Sequence, residues 1–176
     1  MIVFLDRDGV ILKPSEDSGK SYAIKQYSEF EYYEDARESL NQLVKYASYI
    51  FVITNQPDLN SGKLTYKNLR KIHNRLRKDL PISDIFFCPH TTSNNCICRK
   101  PKIGLFQAAE NKWRFLDKDS WMVGDRDIDI QAGKAFGCRN IFIDRGWKDE
   151  AGVGADFKVR SLREAIEIII KSTQSA

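Results

Sequence analysis

Two aspartates one residue apart, Asp6 and Asp8, close the apolar run Ile2-Val-Phe-Leu5 and are followed by Gly9. A buried parallel strand delivers polar groups to the mouth of an α/β sheet in this way. Side chains alternate along an extended strand, so the pair faces one way if the strand geometry persists, and both can then address one metal ion and one substrate. Phosphoryl transfer is the chemistry that uses such a pair. An aspartate that attacks phosphorus must stay ionised beside an anionic substrate, which a hard, oxygen-seeking Mg²⁺ makes feasible; Asp6 is assigned that role. A second carboxyl that protonates the leaving oxygen and later activates water completes a two-step displacement, and Asp8 suits it.

Charge on the transferring oxygens must be met by preplaced donors. The hydroxyl of Thr54 and the ammonium of Lys100, within Cys98-Arg-Lys-Pro101, are the best candidates, with Asn55 beside the hydroxyl. Asp125 would complete the Mg²⁺ site. Asp129, in Gly124-Asp-Arg-Asp-Ile-Asp129, lies on the same helical side if a helix has already begun there, and is placed behind the metal ligands. A second constellation is Cys88-Pro-His90 followed by Cys96-Ile-Cys98, which gathers three of four cysteines into eleven residues. Four N/S ligands in two close pairs suit a tetrahedral structural Zn²⁺ site, and a reducing compartment disfavours the disulfide alternative. With no open coordination position, this metal would serve folding rather than reaction. Because Cys98 adjoins Arg99 and Lys100, it would anchor the loop that carries both cations.

These groups need strands to carry them. Apolar or β-branched runs at 2–5, 49–53, 84–88, 121–123 and 140–143 alternate with helical patterns near 34–46, 65–80, 103–113, 127–136 and 161–171. That alternation implies a mainly parallel sheet covered on both faces, with ligands beyond the carboxyl ends of the strands. Asp6 and Asp8, Thr54 and Asn55, and Asp125 all stand just past such ends. Ser161-Leu-Arg-Glu164 matches a capping box for the last helix, and Gly137 marks the stop of the one before it. One domain is expected over 1–176, with a loose tail at 172–176.

Asp6-Arg-Asp-Gly-Val10, Thr54-Asn-Gln56, Arg99-Lys-Pro101 and Gly124-Asp125, in this order, resemble the four motifs of the haloacid dehalogenase superfamily. The nearest likeness is to heptose bisphosphate phosphatases and the similar histidinol phosphatase domain, and it spans Ile2 to about Ile143. The resemblance implies a Rossmann-like fold with the first strand central and no large cap domain. It also implies Asp6 as nucleophile, Asp8 as acid/base, Mg²⁺ on Asp6, Asp125 and the Asp8 backbone carbonyl, and Thr54 and Lys100 gripping the phosphoryl group. Heptose bisphosphate phosphatases carry a similar zinc loop, here with only five residues between the ligand pairs. The chain departs from them after Thr54-Asn-Gln56, where Ser61 holds the position of an arginine. Losing that planar fork leaves a second phosphate to Arg99, with Lys63 as a further candidate. Arg126 stands where a lysine is common, keeping the charge and changing its geometry.

Rival readings are weaker. Pro14-Ser-Glu-Asp-Ser-Gly-Lys-Ser21 matches a P-loop except for its first residue, but proline lacks the N–H and the freedom that glycine supplies there, and no strand immediately precedes it. A loop beside the site, with Tyr22 near substrate, is expected instead. A phospho-acceptor receiver module would place its Thr and Lys after the phosphorylated aspartate's strand, whereas Thr54 and Lys100 precede Asp125. A nucleic-acid 3′-phosphatase would use the basic run Lys67–Lys78 as a backbone-binding strip, yet Leu69, Ile72, Leu76 and Leu80 recur through it at helical spacing, which reads as a solvated helix face. His73 and Cys138 read as ordinary structural residues. A net charge of +4 comes from 28 basic and 24 acidic residues well interspersed, which does not demand nucleic acid. Met1 leads into the first strand without a signal-like run, so a cytoplasmic monomer without membrane or nucleic-acid partners is expected. The expected substrate is a small phosphorylated sugar, a heptose bisphosphate first, or an amino-alcohol phosphate, histidinol phosphate second.

Overall fold

The computed structural model describes residues 1–17, 20–115 and 119–174. Six parallel strands form one sheet in the order β5 (Asp84–Cys88), β4 (Tyr49–Asn55), β1 (Ile2–Leu5), β6 (Ser120–Gly124), β7 (Arg139–Ile143) and β8 (Phe157–Val159). The chain builds outward from β1 on one side through β4 and β5, then crosses to the other through β6, β7 and β8. The ends of β4, β1 and β6 therefore meet where the direction of building reverses, which is where such sheets bind ligands. All four residues of β1 are buried, as a strand covered on both faces requires. Val3 and Leu5 pack with α1 (Ala36–Leu43), α2 (Tyr66–Asp79) and α5 (Leu162–Gln174), whereas Ile2 and Phe4 pack with α3 (Gly104–Trp113) and α4 (Asp127–Phe136). Phe4 anchors that second face against Phe51, Phe106 and Phe136, at centroid distances of 5.6, 4.8 and 5.8 Å. This is the Rossmann-like layering that the motifs imply.

Local signals set the helix ends. Thr65 Oγ1 accepts the Asn68 N–H at 3.2 Å to open α2, and Leu80, extended before Pro81, ends it. Gly137, at φ +96°, closes α4 as expected. Ser161 Oγ accepts the Glu164 N–H, while Glu164 reaches back to the N–H of Arg160 rather than that of Ser161. The last helix continues to Gln174, past the Lys171 at which the sequence pattern ends it, with Ser172 and Thr173 hydroxyls bonding back to Ile169 and Ile170 carbonyls; Ser175 and Ala176 lie outside the described residues. On α2, Lys67, Arg70, Lys71, Arg75, Arg77 and Lys78 are exposed and Leu69, Ile72 and Leu76 are buried, the solvated face read from its sequence.

Two further features differ from expectation. Residues near 14–22, expected as a loop, contain the antiparallel pair β2 (Ser15–Asp17) and β3 (Lys20–Tyr22), and Ser18 and Gly19 of the P-loop-like stretch lie outside the described residues. Edge strand β8 adds a sixth strand to the five expected. Among the described residues no cap domain interrupts the sheet; the stretch between β1 and α1 carries only the β2/β3 pair and short turns. No described helix is long and apolar enough to cross a membrane.

Candidate active site

β1 pairs Leu5 with Val52 of β4 and with Val123 of β6, so the next residue on each strand comes level at the sheet's carboxyl edge. Asp6 stands there, its N–H bonded to the Val123 carbonyl at 3.0 Å. Its Oδ1 accepts Lys100 Nζ at 2.8 Å, and the same ammonium reaches Asp129 Oδ1 at 2.7 Å and the Ile53 carbonyl at 2.8 Å. Burial alone would favour neutral Lys100, but the carboxylates of Asp129 and Asp6 outweigh it and hold its pKa above the ordinary value. The ammonium is thus fixed and charged. Asn55 secures the lysine from behind: its Nδ2 donates to the Lys100 carbonyl and its Oδ1 accepts the Lys100 N–H, both at 3.1 Å.

Asp6, Asp125 and Asp129 bring carboxylate oxygens within 4.8 Å of one another, and all three are buried. Burial, reinforced by the charges of Asp129 and Asp6, holds Asp125 well above the carboxylate range. Burial likewise raises Asp129 to about 6 against the opposing pull of Lys100. Trp147 donates Nε1–H to Asp125 Oδ2 at 2.6 Å, while Asp125 Oδ1 is buried with no hydrogen-bond partner among the described residues. Two glycines make room for these acids. A Cβ on Gly9, which sits at φ +87°, would lie 1.9 Å from Asp125 Oδ2, and one on Gly124 would lie 2.2 Å from Asp129 Cβ. Three crowded carboxylates with one orphaned oxygen fit a hard divalent cation bound through oxygen.

The strand geometry does not persist through Asp8. The chain turns at Arg7, whose carbonyl accepts the N–H groups of Ile11 and Leu12, and the two aspartate side chains take different partners. Asp8 Oδ2 accepts Arg7 Nε at 3.0 Å and Gln56 Nε2 at 3.0 Å, with Arg7 Nη2 at 2.8 Å; Oδ1 accepts the Ile24 N–H at 3.3 Å. Its carboxylate stands outside the acid trio, which Asp129, expected behind the metal ligands, completes. Asp129 arrives by a different route from helical periodicity: it is the third residue of α4, and its Oδ2 accepts the Arg126 N–H at the helix start.

A cavity of about 400 Å³ opens over these groups. Asp6, Asp8, Thr54, Asn55, Arg99, Lys100, Arg126 and Asp129 all line it, as does Tyr22. Thr54 Oγ1 accepts Gln56 Nε2 at 3.0 Å. Arg126 Nη2 bonds the Ser21 carbonyl and, at 2.8 Å, the Ser21 hydroxyl, tying β3 to the site. Lys63 is exposed and is not among the lining residues, nor is Ser61; the cations that line the cavity beyond the expected ones are Lys20 and Lys148. Lys148 belongs with Trp147, Asp149 and Glu150 to a loop after β7 that sequence reading passed over. The strand-end rule applied at Asp144-Arg-Gly-Trp147 would have found it.

The second cluster is tight. Cys98 Sγ lies 3.2 Å from Cys88 Sγ, 3.5 Å from Cys96 Sγ and 3.3 Å from His90 Nδ1, and Cys88 Sγ lies 3.6 Å from both Cys96 Sγ and His90 Nδ1. Zinc ligands at about 2.3 Å in a tetrahedron stand about 3.8 Å apart, close to this spacing. All four cysteines of the chain are free thiols, and Cys138 is a buried residue that accepts from the Ser120 hydroxyl. Arg99 Nη1 donates to the His90 carbonyl at 3.1 Å, which joins the cluster to the cavity wall.

Known proteins are similar to this chain in sequence and fold. The profile of the HAD-hydrolase-like family matches residues 97–165. A D-glycero-beta-D-manno-heptose-1,7-bisphosphate 7-phosphatase of Neisseria meningitidis is 31% identical over 147 residues, covering 81% of this chain and 76% of that protein. A D-glycero-alpha-D-manno-heptose-1,7-bisphosphate 7-phosphatase of Photorhabdus laumondii is 32% identical over 154 residues, covering 81% of each. A crystal structure of a D,D-heptose 1,7-bisphosphate phosphatase from B. bronchiseptica, complexed with magnesium and phosphate, superposes with a TM-score of 0.78 at 22% identity, covering 97% of this chain and 98% of that one.

Proposed function

Since the chain belongs to the HAD-like hydrolase family and is a hydrolase of phosphate esters, we propose that it is a Mg²⁺-dependent sugar phosphatase that works through an aspartyl phosphate on Asp6. The observation that carries this reading is the meeting of Asp6, Asp125 and Asp129 around one buried lysine at the carboxyl end of β1. Asp6 would attack phosphorus in line with the leaving oxygen. Asp8, outside the acid trio and lining the same cavity, would give its proton to that oxygen and then take one from the water that frees the enzyme. Lys100 and the Thr54 hydroxyl would hold the phosphoryl oxygens as charge shifts onto them. Mg²⁺, held by Asp6, Asp125 and the Asp8 carbonyl with Asp129 alongside, would neutralise the substrate's charge as it nears the nucleophile. Zn²⁺ on Cys88, His90, Cys96 and Cys98 would hold Arg99 and Lys100 in place.

A heptose 1,7-bisphosphate, cleaved at the 7-phosphate, is the proposed substrate. The names of the relatives support it, and the cavity's Arg99, Arg126, Lys20 and Lys148 supply cations for a second phosphate. The test is phosphate release from the α and β heptose 1,7-bisphosphates, histidinol phosphate and a 3′-phosphorylated oligonucleotide, each with Mg²⁺. One phosphate should leave a heptose bisphosphate with kcat/KM at least a hundredfold above the other substrates. Higher kcat/KM on histidinol phosphate or the oligonucleotide would reassign the substrate.

A further inference from the structure

We propose that Arg7 and His73 form a buried positioning pair that holds the Asp8 carboxyl by Oδ2 and leaves Oδ1 as the atom that gives and takes the proton. The proposal rests on the reading of Asp8 as acid/base. Arg7 is 0% exposed and His73 4%, and neither faces the cavity. A buried guanidinium is costly unless its donors are met. Nε of Arg7 donates to Asp8 Oδ2 at 3.0 Å, Nη2 stands in ion-pair contact with the same oxygen at 2.8 Å, and Nη1 lies 3.2 Å from His73 Nε2. Gln56 Nε2 adds a donor to Oδ2, at 3.0 Å. Among the described residues, Oδ1 receives only the Ile24 N–H, at 3.3 Å. An oxygen whose two lone pairs already accept from Arg7 Nε and Gln56 Nε2, with the Nη2 charge beside it, has no place for a proton; its partner does.

His73 belongs to this arrangement rather than to the core around it. It lies on the buried stripe of α2 with Leu69, Ile72 and Leu76, where an apolar side chain would satisfy packing. The ring instead offers an acceptor to the one Arg7 nitrogen that Asp8 leaves over, and Phe87, with centroids 5.6 Å apart at 62°, packs against it edge to face. Burial and the adjacent Arg7 charge push His73 down to about 2, which keeps Nε2 free to accept. A residue of α2, 66 positions along the chain, thereby fixes the side chain that follows β1.

The experiment compares His73→Leu, His73→Gln, Arg7→Lys and Asp8→Asn on heptose 1,7-bisphosphate. Folded His73→Leu should lose at least tenfold in kcat with KM within twofold of the parent. His73→Gln, whose amide oxygen can accept from Arg7, should recover to within about threefold. Arg7→Lys, which keeps the charge without the fork, should match His73→Leu, and it serves in place of that variant if leucine prevents folding. A kcat within twofold of the parent in folded His73→Leu or in Arg7→Lys, a rise in KM matching the fall in kcat, or no recovery in His73→Gln overturns the proposal. Asp8→Asn separates the two levels: if it is inactive while His73→Leu is normal, only the positioning pair fails, and if it turns over normally the assignment of Asp8 fails with it.

Discussion

Trp147 holds one oxygen of Asp125 through a 2.6 Å hydrogen bond and leaves the other bare inside the protein. The indole thus orients the carboxylate from the loop after β7. Hydrogen bonds to charged groups are worth about 1.5–3 kcal/mol. Trp147→Phe keeps the aromatic bulk and removes the donor, so the Mg²⁺ concentration giving half-maximal turnover should rise by roughly tenfold or more. A Mg²⁺ titration of activity checks this, and an unchanged midpoint would show that the indole does not orient the ligand.

Asp6→Asn should abolish phosphate release while the melting temperature stays near that of the parent. The parent, quenched with acid during turnover, should carry phosphate on Asp6, found by mass spectrometry of the peptide from Met1 to Lys13. Label on any other residue would remove Asp6 as nucleophile.

Lys100→Met should cost both stability and activity. The side chain is 1% exposed and bridges two buried carboxylates, so its removal leaves acids without a cation. Breaking a buried pair in this way costs about 3–5 kcal/mol. Denaturant unfolding should report a loss of this size, and added Mg²⁺ should restore part of it by supplying positive charge to the same acids. Stability equal to the parent's would contradict the bridging role.

Acid should destabilise the fold through His73. Its pKa is about 2 in the folded chain and 6.5 ordinarily, so the unfolded chain binds the extra proton. Stability from this residue is complete above pH 6.5 and declines as pH falls from there toward 2, with a slope of at most about 1.4 kcal/mol per pH unit. His73→Gln should flatten the dependence between pH 6 and 4 in denaturant melts, and an identical slope in the two proteins would refute the assignment.

Purified without chelator, the protein should contain one zinc per chain by elemental analysis. Chelation should lower the melting temperature and raise KM, because Arg99 is bonded to the His90 carbonyl. A zinc-free preparation with full activity and the same melting temperature would remove the metal from the account.

The sheet and its chemistry were legible because one rule ties them: apolar runs end where polar groups must collect. Asp6, Thr54 and Asp125 reach the cavity or its acid cluster on that basis, Lys100 reaches it from the loop that carries Cys98, and the Cys/His set closes because its two pairs flank a short loop. The misses arise where the chain leaves regular geometry. Asp8 takes partners different from those of Asp6 because the backbone bends at Arg7 and Gly9, which period-two reasoning cannot foresee, although both line the cavity. Strands β2, β3 and β8 have three residues each, too few to display alternation. Asn55, expected beside the Thr54 hydroxyl, lines the cavity and also ties both ends of its amide to the Lys100 backbone, a pairing 45 residues apart that only folding reveals. His73 looked structural because its stripe is apolar. Its acceptor mattered only once Arg7 was seen to be buried beside it.

Cys96 and Cys98, on the loop that carries Arg99, stand within 3.6 Å of Cys88 at the end of β5. Peroxide that reached a zinc-loaded cluster would couple two of the sulfurs and release the zinc, slackening the grip on phosphate although no acid in the cavity had changed. Inactivation by oxidant would then track zinc release, and thiol reductant together with fresh zinc would reverse it.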